Sequence, residues 1–414
     1  MVSQKQFDYI AREAKVVAPN YAPIPVVLER GKDVWLYDIE GNEYLDMMSA
    51  YSAVSHGHCH PELVAELTRQ ASELAVCSRA YHTKALTLFL EELCKVTHMD
   101  LALPMNTGAE AVETAIKTAR RWGYEVKGIP ENKAEIIMAR GNFHGRTTTI
   151  ISFSSEAAYK KNFGPLTPGF VDIPFGDAGA LEKAITPNTC AVLIEPMQGE
   201  AGIIIPEEGW LKKMSEICKA NNVLFIVDEV QTGLARTGAM LACEHEGVQP
   251  DGLILGKALG GGLLAVSAFL ARKDVLNVMT PGSHGSTFGG NPLAAAVGKK
   301  ALEIMVRDKY AERSQELGKY LMAQLKALNN PAIQDIRGKG LWIGVEIKTS
   351  VATARKVAEE LARVGILTKD THDTVIRLAP PLTIEKRELD LAVQKLDEVL
   401  TKLFHEGHGR SSVG

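Results

Sequence analysis

Short apolar runs and longer amphipathic stretches alternate through the middle of this chain, between about residues 61 and 300. Apolar positions three and four apart predict helices at Pro61–Ala75, Ala109–Trp122 and Trp210–Asn221. Uninterrupted apolar runs predict strands at Glu135–Ala139, Ala191–Glu195, Val223–Val227, Gly252–Leu255 and Val266–Leu270. Strands that alternate with helices indicate an α/β domain with a mostly parallel sheet.

The segments on either side follow a different pattern. Residues 25–48 alternate between apolar and polar positions and predict a small antiparallel sheet with a tight turn at Glu40–Asn42. After residue 300 we expect two long amphipathic helices, a sheet segment near Gly340–Lys348 and a final helix near Glu385–Phe404. The predicted organisation is a large α/β domain over residues 56–300. Residues 1–55 and 301–414 are expected to join into a smaller α+β domain.

Two predicted strands deliver chemically useful side chains at their carboxyl ends. Asp228 follows the run that ends at Val227, and Lys257 follows the run that ends at Leu255. Parallel strands place their carboxyl ends, and the ligands bound there, at one edge of the sheet. A lysine can hold the aldehyde of pyridoxal phosphate as a Schiff base, and a carboxylate can keep the pyridine nitrogen protonated. Taken singly, such a lysine is ordinarily a solvated loop residue and such an aspartate a helix cap.

Other loops could complete a cofactor site. Asn106–Glu110 opens a predicted helix, where free backbone N–H groups suit a phosphate, although many helices begin this way for capping alone. The Gly- and Ser-rich loop Gly282–Asn291 could add donors or could be an ordinary surface loop. Phe143 could cover one face of a flat cofactor, and Arg146 could bind a carboxylate.

Two further patterns carry charge or metal-binding side chains. Arg377 stands within an apolar run, so it either pairs with an acid or binds an anionic ligand. The alternating His56, His58 and His60 invite a metal interpretation, but no acid or cysteine cluster completes a site, and we expect a loop before the helix at Pro61 and no metal.

Composition narrows the possible partners and compartment. A net charge of −4 gives no reason to expect a nucleic acid or an anionic membrane as partner. The 6 cysteines lack paired spacing and are expected to be free thiols, several of them buried. No apolar stretch approaches the ~18–20 residues of a membrane span. The first residues also lack a signal-peptide segment, so the expected location is the cytoplasm.

Matching motifs occur in order over essentially the whole length, and through them the chain resembles the class III (fold type I) aminotransferases. The matching stretches are Asn20–Gly31, Ala50–Val54, Gly57–Pro61, Pro104–Glu110, Gly141–Thr147, Glu195–Gly202, Asp228–Gly233, Leu255–Leu259 and Ile376–Leu382. Within that family they resemble the ornithine δ-aminotransferases. The resemblance implies the fold type I architecture of pyridoxal 5′-phosphate-dependent transferases, with a large mostly parallel α/β domain and a smaller α+β domain.

The resemblance also implies a cofactor site. Lys257 would carry the cofactor and shuttle the proton, and Asp228 would pair with the pyridine N–H. Gln231 would bond the ring hydroxyl and Phe143 would stack on the ring. The phosphate would be held by three residues: Gly108, Ala109 and, from a neighbouring subunit, Thr287. A shared site requires at least a homodimer.

The substrates implied are L-ornithine and 2-oxoglutarate, with glutamate 5-semialdehyde and glutamate as products. Tyr21 and Tyr51 would contact the free amino-acid end of ornithine, and Arg146 its carboxylate. Glu200 and Arg377 would form a switch, in which the glutamate covers the arginine until a dicarboxylate draws it away.

Some features leave rival functions open. Leu264-Ala265 stand where the family usually has an aromatic residue followed by proline, and Ala18-Pro19 stand where many relatives have Ala-His. The first rival is another ω-aminotransferase, acting on N-acetylornithine, 4-aminobutyrate or lysine. Acetylornithine enzymes typically carry a small or aliphatic residue where Tyr51 stands, which favours ornithine. The second is a non-catalytic regulator that binds the cofactor, but the sequence has no basic helical appendage for DNA.

Overall fold

The computed structural model describes residues 3–409, with side chains to residue 406. The helices are α1 (Gln4–Glu13), α2 (Ser49–Ser52), α3 (Pro61–Glu73), α4 (Lys84–Thr97), α5 (Gly108–Glu125), α6 (Thr148–Ser152), α7 (Ala157–Lys160), α8 (Ala178–Ala184), α9 (Trp210–Ala220), α10 (Lys273–Leu276), α11 (Pro292–Arg307), α12 (Tyr310–Ala327), α13 (Ala354–Arg363) and α14 (Lys386–Gly409). Two 3₁₀ helices span Ala242–Glu246 and Lys257–Gly260.

The strands fall into three sheets. They are β1 (Leu28–Lys32), β2 (Trp35–Asp38), β3 (Glu43–Asp46), β4 (Leu101–Met105), β5 (Glu135–Ala139), β6 (Phe170–Ile173), β7 (Thr189–Ile194), β8 (Leu224–Asp228), β9 (Gly252–Leu255), β10 (Ser267–Ala271), β11 (Ile333–Gly338), β12 (Ile343–Ile347), β13 (Ile366–Leu367), β14 (Lys369–Thr371) and β15 (Val375–Leu378).

The chain divides into two units, between His60 and Pro61 and again between Ser314 and Gln315. The central unit is Pro61–Ser314, and the terminal unit combines the described residues on either side of it. Both boundaries lie farther along the chain than the expected 55 and 300. His58 bonds backbone-to-backbone with Asp33 and so belongs to the terminal unit, whereas α11 packs on α3 and α4 within the central unit.

The central unit is built on a seven-stranded sheet in the order β4-β10-β9-β8-β7-β5-β6. The pairs among β9, β8, β7, β5 and β6 are parallel, and β10 runs antiparallel to both β9 and β4. The predicted mostly parallel sheet is therefore confirmed. Strands β7, β8 and β9 are buried along their whole length, which explains their uninterrupted apolar sequences.

Helix α5 begins where its sequence provides a cap and packs along the sheet. The Thr107 side chain accepts a hydrogen bond from the Glu110 N–H, and the Glu110 side chain accepts from the Thr107 N–H, forming a capping box. Its apolar buried residues form one core cluster with residues of β5, β7, β8, β9 and β10. The α5 members of this cluster include Ala111, Ala115, Ala119 and Trp122, and the strand members include Ile136, Leu193, Ile226, Ile254 and Phe269. This packing fixes the amino-terminal end of α5 at the edge where the parallel strands end.

The terminal unit contains two four-stranded sheets, in the orders β1-β2-β3-β13 and β11-β12-β15-β14. The first three strands form the predicted antiparallel sheet, and β13 joins it in parallel through Ile366 opposite Leu45.

The first of the two helices expected after residue 300 begins earlier, at Pro292, because Asn291 caps it through the Ala294 N–H. A third helix, α13, follows them, and the final helix extends to Gly409.

Helix α2 has an unusual backbone. All of its residues, Ser49 to Ser52, have positive φ angles between 44° and 74°, so the segment is one left-handed turn. A left-handed conformation costs roughly 1–2 kcal/mol for each residue that has a side chain. Asp46 stabilises the entry to the turn, since its Oδ1 accepts from the N–H groups of Met48 and Ser49. Tyr51 therefore lies on a strained segment.

The described residues bear on two expectations from the sequence, which concern membrane spans and cysteines. Within residues 3–409, no helix is long and apolar enough to cross a membrane. All six cysteines are free thiols, and three of them, Cys190, Cys218 and Cys243, are buried.

Candidate active site

A cavity opens at the carboxyl edge of the central sheet, within the central unit. Six of the residues predicted to hold a cofactor line this one cavity: Gly108, Ala109, Phe143, Asp228, Gln231 and Lys257. They come from the loops after β4, β5, β8 and β9, whose carboxyl ends share that edge. The sheet order thus brings together residues that are up to about 150 positions apart in sequence.

Lys257 enters the cavity from a strained backbone position. Its φ is +44°, in the left-handed region, and it begins the 3₁₀ helix directly after β9 and Gly256. A Cβ on Gly256 would lie 3.6 Å from the Gly108 Cα, so the β9 turn approaches the start of α5 closely. Strain of this kind in a residue with a long side chain is frequent at functional sites.

Asp228 is buried at the end of β8 and is oriented by two hydrogen bonds. Its Oδ1 accepts from the Val230 N–H at 3.0 Å, and its Oδ2 lies 2.6 Å from His144 Nδ1. Burial lowers the pKa of His144, but the hydrogen bond to Asp228 and the charges of Asp228 and Glu195 outweigh burial and raise it above 6.5. Since an ionised carboxylate only accepts, His144 donates its Nδ1–H to Asp228.

Glu195 adds a second buried carboxyl group to this cluster. Its Oε2 accepts from the Phe143 N–H at 3.0 Å, so it holds the segment that carries Phe143 and His144. Burial raises the pKa of Glu195 to about 7; the charge of His144 opposes this effect and that of Asp228 adds to it. Burial therefore brings the titration of the Glu195 carboxyl, which lines the cavity, toward neutral pH.

The amino-terminal end of α5 forms another wall of the cavity. Thr107 caps the Glu110 N–H, but the N–H groups of Gly108 and Ala109 have no acceptor within residues 3–409. Such free N–H groups, together with the helix dipole, favour an anion. A Cβ added to Gly108 would meet the Val230 side chain at 3.1 Å, so glycine allows the close approach of these two walls.

Gln231 connects the cavity to Glu200. The buried Gln231 side chain donates from Nε2 to Glu200 Oε1 at 3.4 Å. Glu200 does not itself line the cavity, and its predicted partner Arg377 belongs to the other unit.

Arg146 lies outside the cavity and is exposed. Its guanidinium carbon lies 3.8 Å from the centre of the Tyr159 ring and 5.6 Å from that of Phe143. Phe143 lines the cavity, so Arg146 is joined to it through aromatic rings.

Thr287 is exposed and does not line the cavity of its own chain. Its loop is attached to α5 through His284, whose Nε2 lies 2.8 Å from Thr114 Oγ1 and whose Nδ1 accepts from Lys117 Nζ at 2.9 Å. Neighbouring Phe288 is 54% exposed, and with Leu264 and Ala265 it lines a separate cavity beside α5.

The remaining predicted substrate residues lie in the terminal unit. Tyr21, which is 77% exposed, and Tyr51 line a cavity between β14 and the segment before β1. Arg377 is fully buried in β15, with its guanidinium carbon 5.5 Å from the centre of the Tyr51 ring. Arg377 and Tyr51 are thus neighbours.

Among the three alternating histidines, the rings of His56 and His60 pack edge-on with centres 6.5 Å apart. His58 Nε2 bonds Asp46 Oδ2 at 2.7 Å, and no group of three or more metal-binding side chains occurs among the residues described.

The sequence alone predicted no role for His144 or Glu195. His144 stands beside Phe143 in the motif, so its position in a site loop was visible. Its pairing with Asp228 was not, because the two lie on loops of strands that β7 separates.

Comparison with known proteins adds family information to this geometry. The profile of the family described as aminotransferase class-III matches residues 16–400. A curated protein of Brevibacillus brevis named ornithine aminotransferase is 54% identical over 391 residues, covering 94% of this chain and 97% of that protein.

Two solved structures extend the comparison. The ornithine aminotransferase of Toxoplasma gondii, described with partial occupancy of PLP at its active site, superposes with a TM-score of 0.96 at 43% identity, covering 97% of this chain and 96% of the other. The acetylornithine aminotransferase of Elizabethkingia anophelis superposes with a TM-score of 0.87 at 45% identity, covering 96% and 99%.

Proposed function

The chain belongs to the class-III aminotransferase family, and we propose that it is a pyridoxal 5′-phosphate-dependent ornithine δ-aminotransferase. It converts L-ornithine and 2-oxoglutarate to glutamate 5-semialdehyde, which cyclises to pyrroline-5-carboxylate, and L-glutamate. The observation that carries this proposal is the convergence of Lys257 and Asp228 in one cavity at the carboxyl edge of the sheet. The ornithine aminotransferase from Brevibacillus brevis supports the choice of substrate.

The residues of the cavity fit this cofactor. The free N–H groups of Gly108 and Ala109 suit its phosphate, and the buried Asp228 suits a protonated ring nitrogen. Phe143 offers an aromatic face, and Gln231 offers a donor for the ring hydroxyl. When bound, the cofactor supplies a reversible carrier for the amino group and an acceptor for the electrons released at the reacting carbon.

Three side chains of the protein, those of Lys257, His144 and Glu195, have different roles in the reaction. Lys257 holds the cofactor between turnovers, and its Nζ removes the proton from Cδ of ornithine. His144 donates to Asp228 and keeps its carboxylate oriented. Glu195 holds the backbone of the loop that carries both Phe143 and His144.

Substrate recognition is assigned to five polar side chains. Tyr21 and Tyr51 contact the free amino-acid end of ornithine, and Arg146 binds its carboxylate. Glu200 covers Arg377 during the ornithine half-reaction and releases it to bind 2-oxoglutarate in the other. Arg377 is buried beside Tyr51, and a buried cation of this kind requires a negative partner.

We further infer a homodimer in the cytoplasm, in which Thr287 of one subunit reaches the phosphate bound by the other. Thr287 is exposed and lies beside the exposed Phe288, as expected for a loop that meets a second subunit. The central unit corresponds to the large cofactor-binding domain and the terminal unit to the small domain.

A second candidate is acetylornithine aminotransferase, because one solved enzyme of that name is 45% identical. Tyr51 favours ornithine, since its hydroxyl can hydrogen-bond the charged amino-acid end of ornithine. In N-acetylornithine the amine at that end is acetylated and uncharged, so the same hydroxyl contributes less. Activities toward 4-aminobutyrate or lysine remain rivals of the same class, and a non-catalytic cofactor-binding protein is the rival of another class.

A donor panel tests the proposal. Purified protein with 2-oxoglutarate is assayed against ornithine, N-acetylornithine, 4-aminobutyrate and lysine, and ornithine should give the highest kcat/KM. Borohydride reduction should attach a pyridoxyl group to a single peptide containing Lys257. If N-acetylornithine gave the highest kcat/KM, it would be the substrate in place of ornithine. Label on another lysine would refute the role proposed for Lys257.

A further inference from the structure

Arg146 is an exposed cation without a carboxylate partner. Within residues 3–409 its only interactions are with two aromatic side chains, and none is a salt bridge. The surface of the chain carries many Arg–carboxylate pairs, such as Arg69 with Glu66. An arginine left with its donors uncommitted is available to bind an anionic group from outside the chain.

The Tyr159 side chain fixes the position of this arginine. The guanidinium carbon stands 3.8 Å from the Tyr159 ring centre, closer than to any other ring. The Tyr159 ring thus orients the face of the guanidinium group.

Tyr159 is in turn positioned by the wall of the cofactor cavity. Its ring meets Phe143 edge-on, with centres 6.4 Å apart and planes at 79°, a favourable aromatic geometry. Phe143 lines the cavity beside Lys257. A continuous set of contacts therefore runs from the cavity wall through Phe143 and Tyr159 to Arg146.

We propose that Tyr159 is a positioning residue for substrate selection, which holds the Arg146 guanidinium at a fixed place beside the cavity so that it can bind the carboxylate of ornithine. This inference rests on the proposed function, because it deepens the carboxylate-binding role given to Arg146. Preorganisation reduces the ordering cost of an otherwise mobile arginine side chain when the substrate binds.

The surroundings keep Tyr159 a neutral phenol at neutral pH. Burial raises its pKa, the Arg146 charge lowers it, and the negative charges of Glu200 and Glu156 raise it again, with a net increase. A neutral ring attracts the guanidinium through its π face without neutralising the charge that the substrate carboxylate needs.

The test uses the cofactor-loaded enzyme and two fragments of ornithine. 1,4-Diaminobutane is ornithine without its carboxylate, and 5-aminopentanoate is ornithine without its α-amino group. Replacing the ring by Tyr159→Leu should raise the KM for ornithine and the inhibition constant of 5-aminopentanoate by roughly threefold to thirtyfold. The inhibition constant of 1,4-diaminobutane and the kcat for ornithine should stay within about twofold.

Control variants separate positioning from folding. Tyr159→Phe keeps the ring and should lose much less affinity, and Phe163→Leu removes an exposed aromatic side chain of the same segment and should change neither constant. If Tyr159→Leu does not fold, Tyr159→Met takes its place in the same comparison, because methionine fills a similar volume without a ring. In an Arg146→Gln background, Tyr159→Leu should have no further effect on ornithine, because its influence passes through Arg146.

Parallel losses for both fragments, or additive effects of the two substitutions, would overturn the inference and assign Tyr159 a structural role. An unchanged KM for ornithine in Tyr159→Leu would do the same. Failure of the proposed function is seen separately, as absent ornithine turnover in the unsubstituted enzyme.

Discussion

Replacing Glu195 by glutamine tests the buried charge cluster beneath the candidate site. Glu195→Gln keeps a side-chain oxygen that can accept from the Phe143 N–H, as Glu195 does at 3.0 Å. It removes the ability to ionise and replaces one carboxylate oxygen by an NH2 group, which cannot accept as a carboxylate oxygen does from the Gly199 N–H. Because the residue is buried and next to Asp228, ionisation of Glu195 in the folded protein is unfavourable, and the variant should gain stability relative to the parent protein as the pH rises.

The magnitude follows from the shift in pKa. The Glu195 pKa rises from 4.5 to about 7 on folding. A folded-state pKa above the unfolded one means that the native protein binds more protons between these values, so stability falls as pH rises through that window. At about 1.36 kcal/mol per pH unit, Glu195 should decrease the free energy of unfolding by about 2.5 kcal/mol between about pH 5 and pH 8.

His144 contributes with the same sign, since its raised pKa provides stability that is present below the pKa of the unfolded imidazole and is lost as pH rises through the folded value. Both proteins retain His144, so the difference between them reports Glu195 together with the part of the His144 pKa shift that the Glu195 charge causes.

Urea unfolding of the cofactor-free proteins, followed by circular dichroism at several pH values, measures this difference. The variant should gain on the parent protein steadily from about pH 5 to pH 8. If the two proteins lost stability in parallel over that range, Glu195 would already be ionised at low pH and the reasoning about its burial would be wrong.

Three further substitutions probe the assigned substrate and cofactor contacts. Tyr51→Ile should lower kcat/KM for ornithine roughly tenfold to a hundredfold relative to 4-aminobutyrate, since a hydrogen bond to a charged group is lost; equal losses in steady-state assays would make Tyr51 structural. Glu200→Ala should speed the half-reaction with glutamate, and Arg377→Ala should slow that with 2-oxoglutarate while sparing ornithine. Stopped-flow absorbance separates the half-reactions, and equal slowing of both by each variant would contradict the switch. His284→Leu should release the loop that carries Thr287 and weaken cofactor affinity roughly tenfold, as measured by equilibrium dialysis against wild type; unchanged affinity would contradict this anchoring role.

Much of the central unit could be predicted because its sequence signals are strong. Strand β5 occupies the predicted residues 135–139, and Pro61 begins a helix as expected. Asp228 and Lys257 lie at one edge because β8 and β9 are parallel neighbours, which follows from apolar runs separated by helices.

The remaining parts depend on contacts that leave no periodic trace in the sequence. His144 bonds Asp228 only because the loop after β5 crosses toward β8, past the intervening strand β7. Tyr159 meets Arg146 across an irregular segment that contains two short helices, α6 and α7. The left-handed turn at Tyr51 contains no glycine, so the residue types there give no indication of positive φ angles.

The discontinuous terminal unit has a consequence for the order in which the protein is made. Strand β3 cannot pair with its parallel partner β13 until β13 has been synthesised, because Leu45 pairs with Ile366 and the Met47 N–H donates to the Leu367 carbonyl. At about 5–20 residues per second of synthesis, that delay is on the order of tens of seconds, during which the contiguous central unit can already fold on the ribosome. The open edge of β3 is a template for unwanted strand pairing throughout that interval. Nascent chains that stop before residue 366 should therefore depend on chaperones to protect their first sixty residues, whereas the central unit should need little such protection.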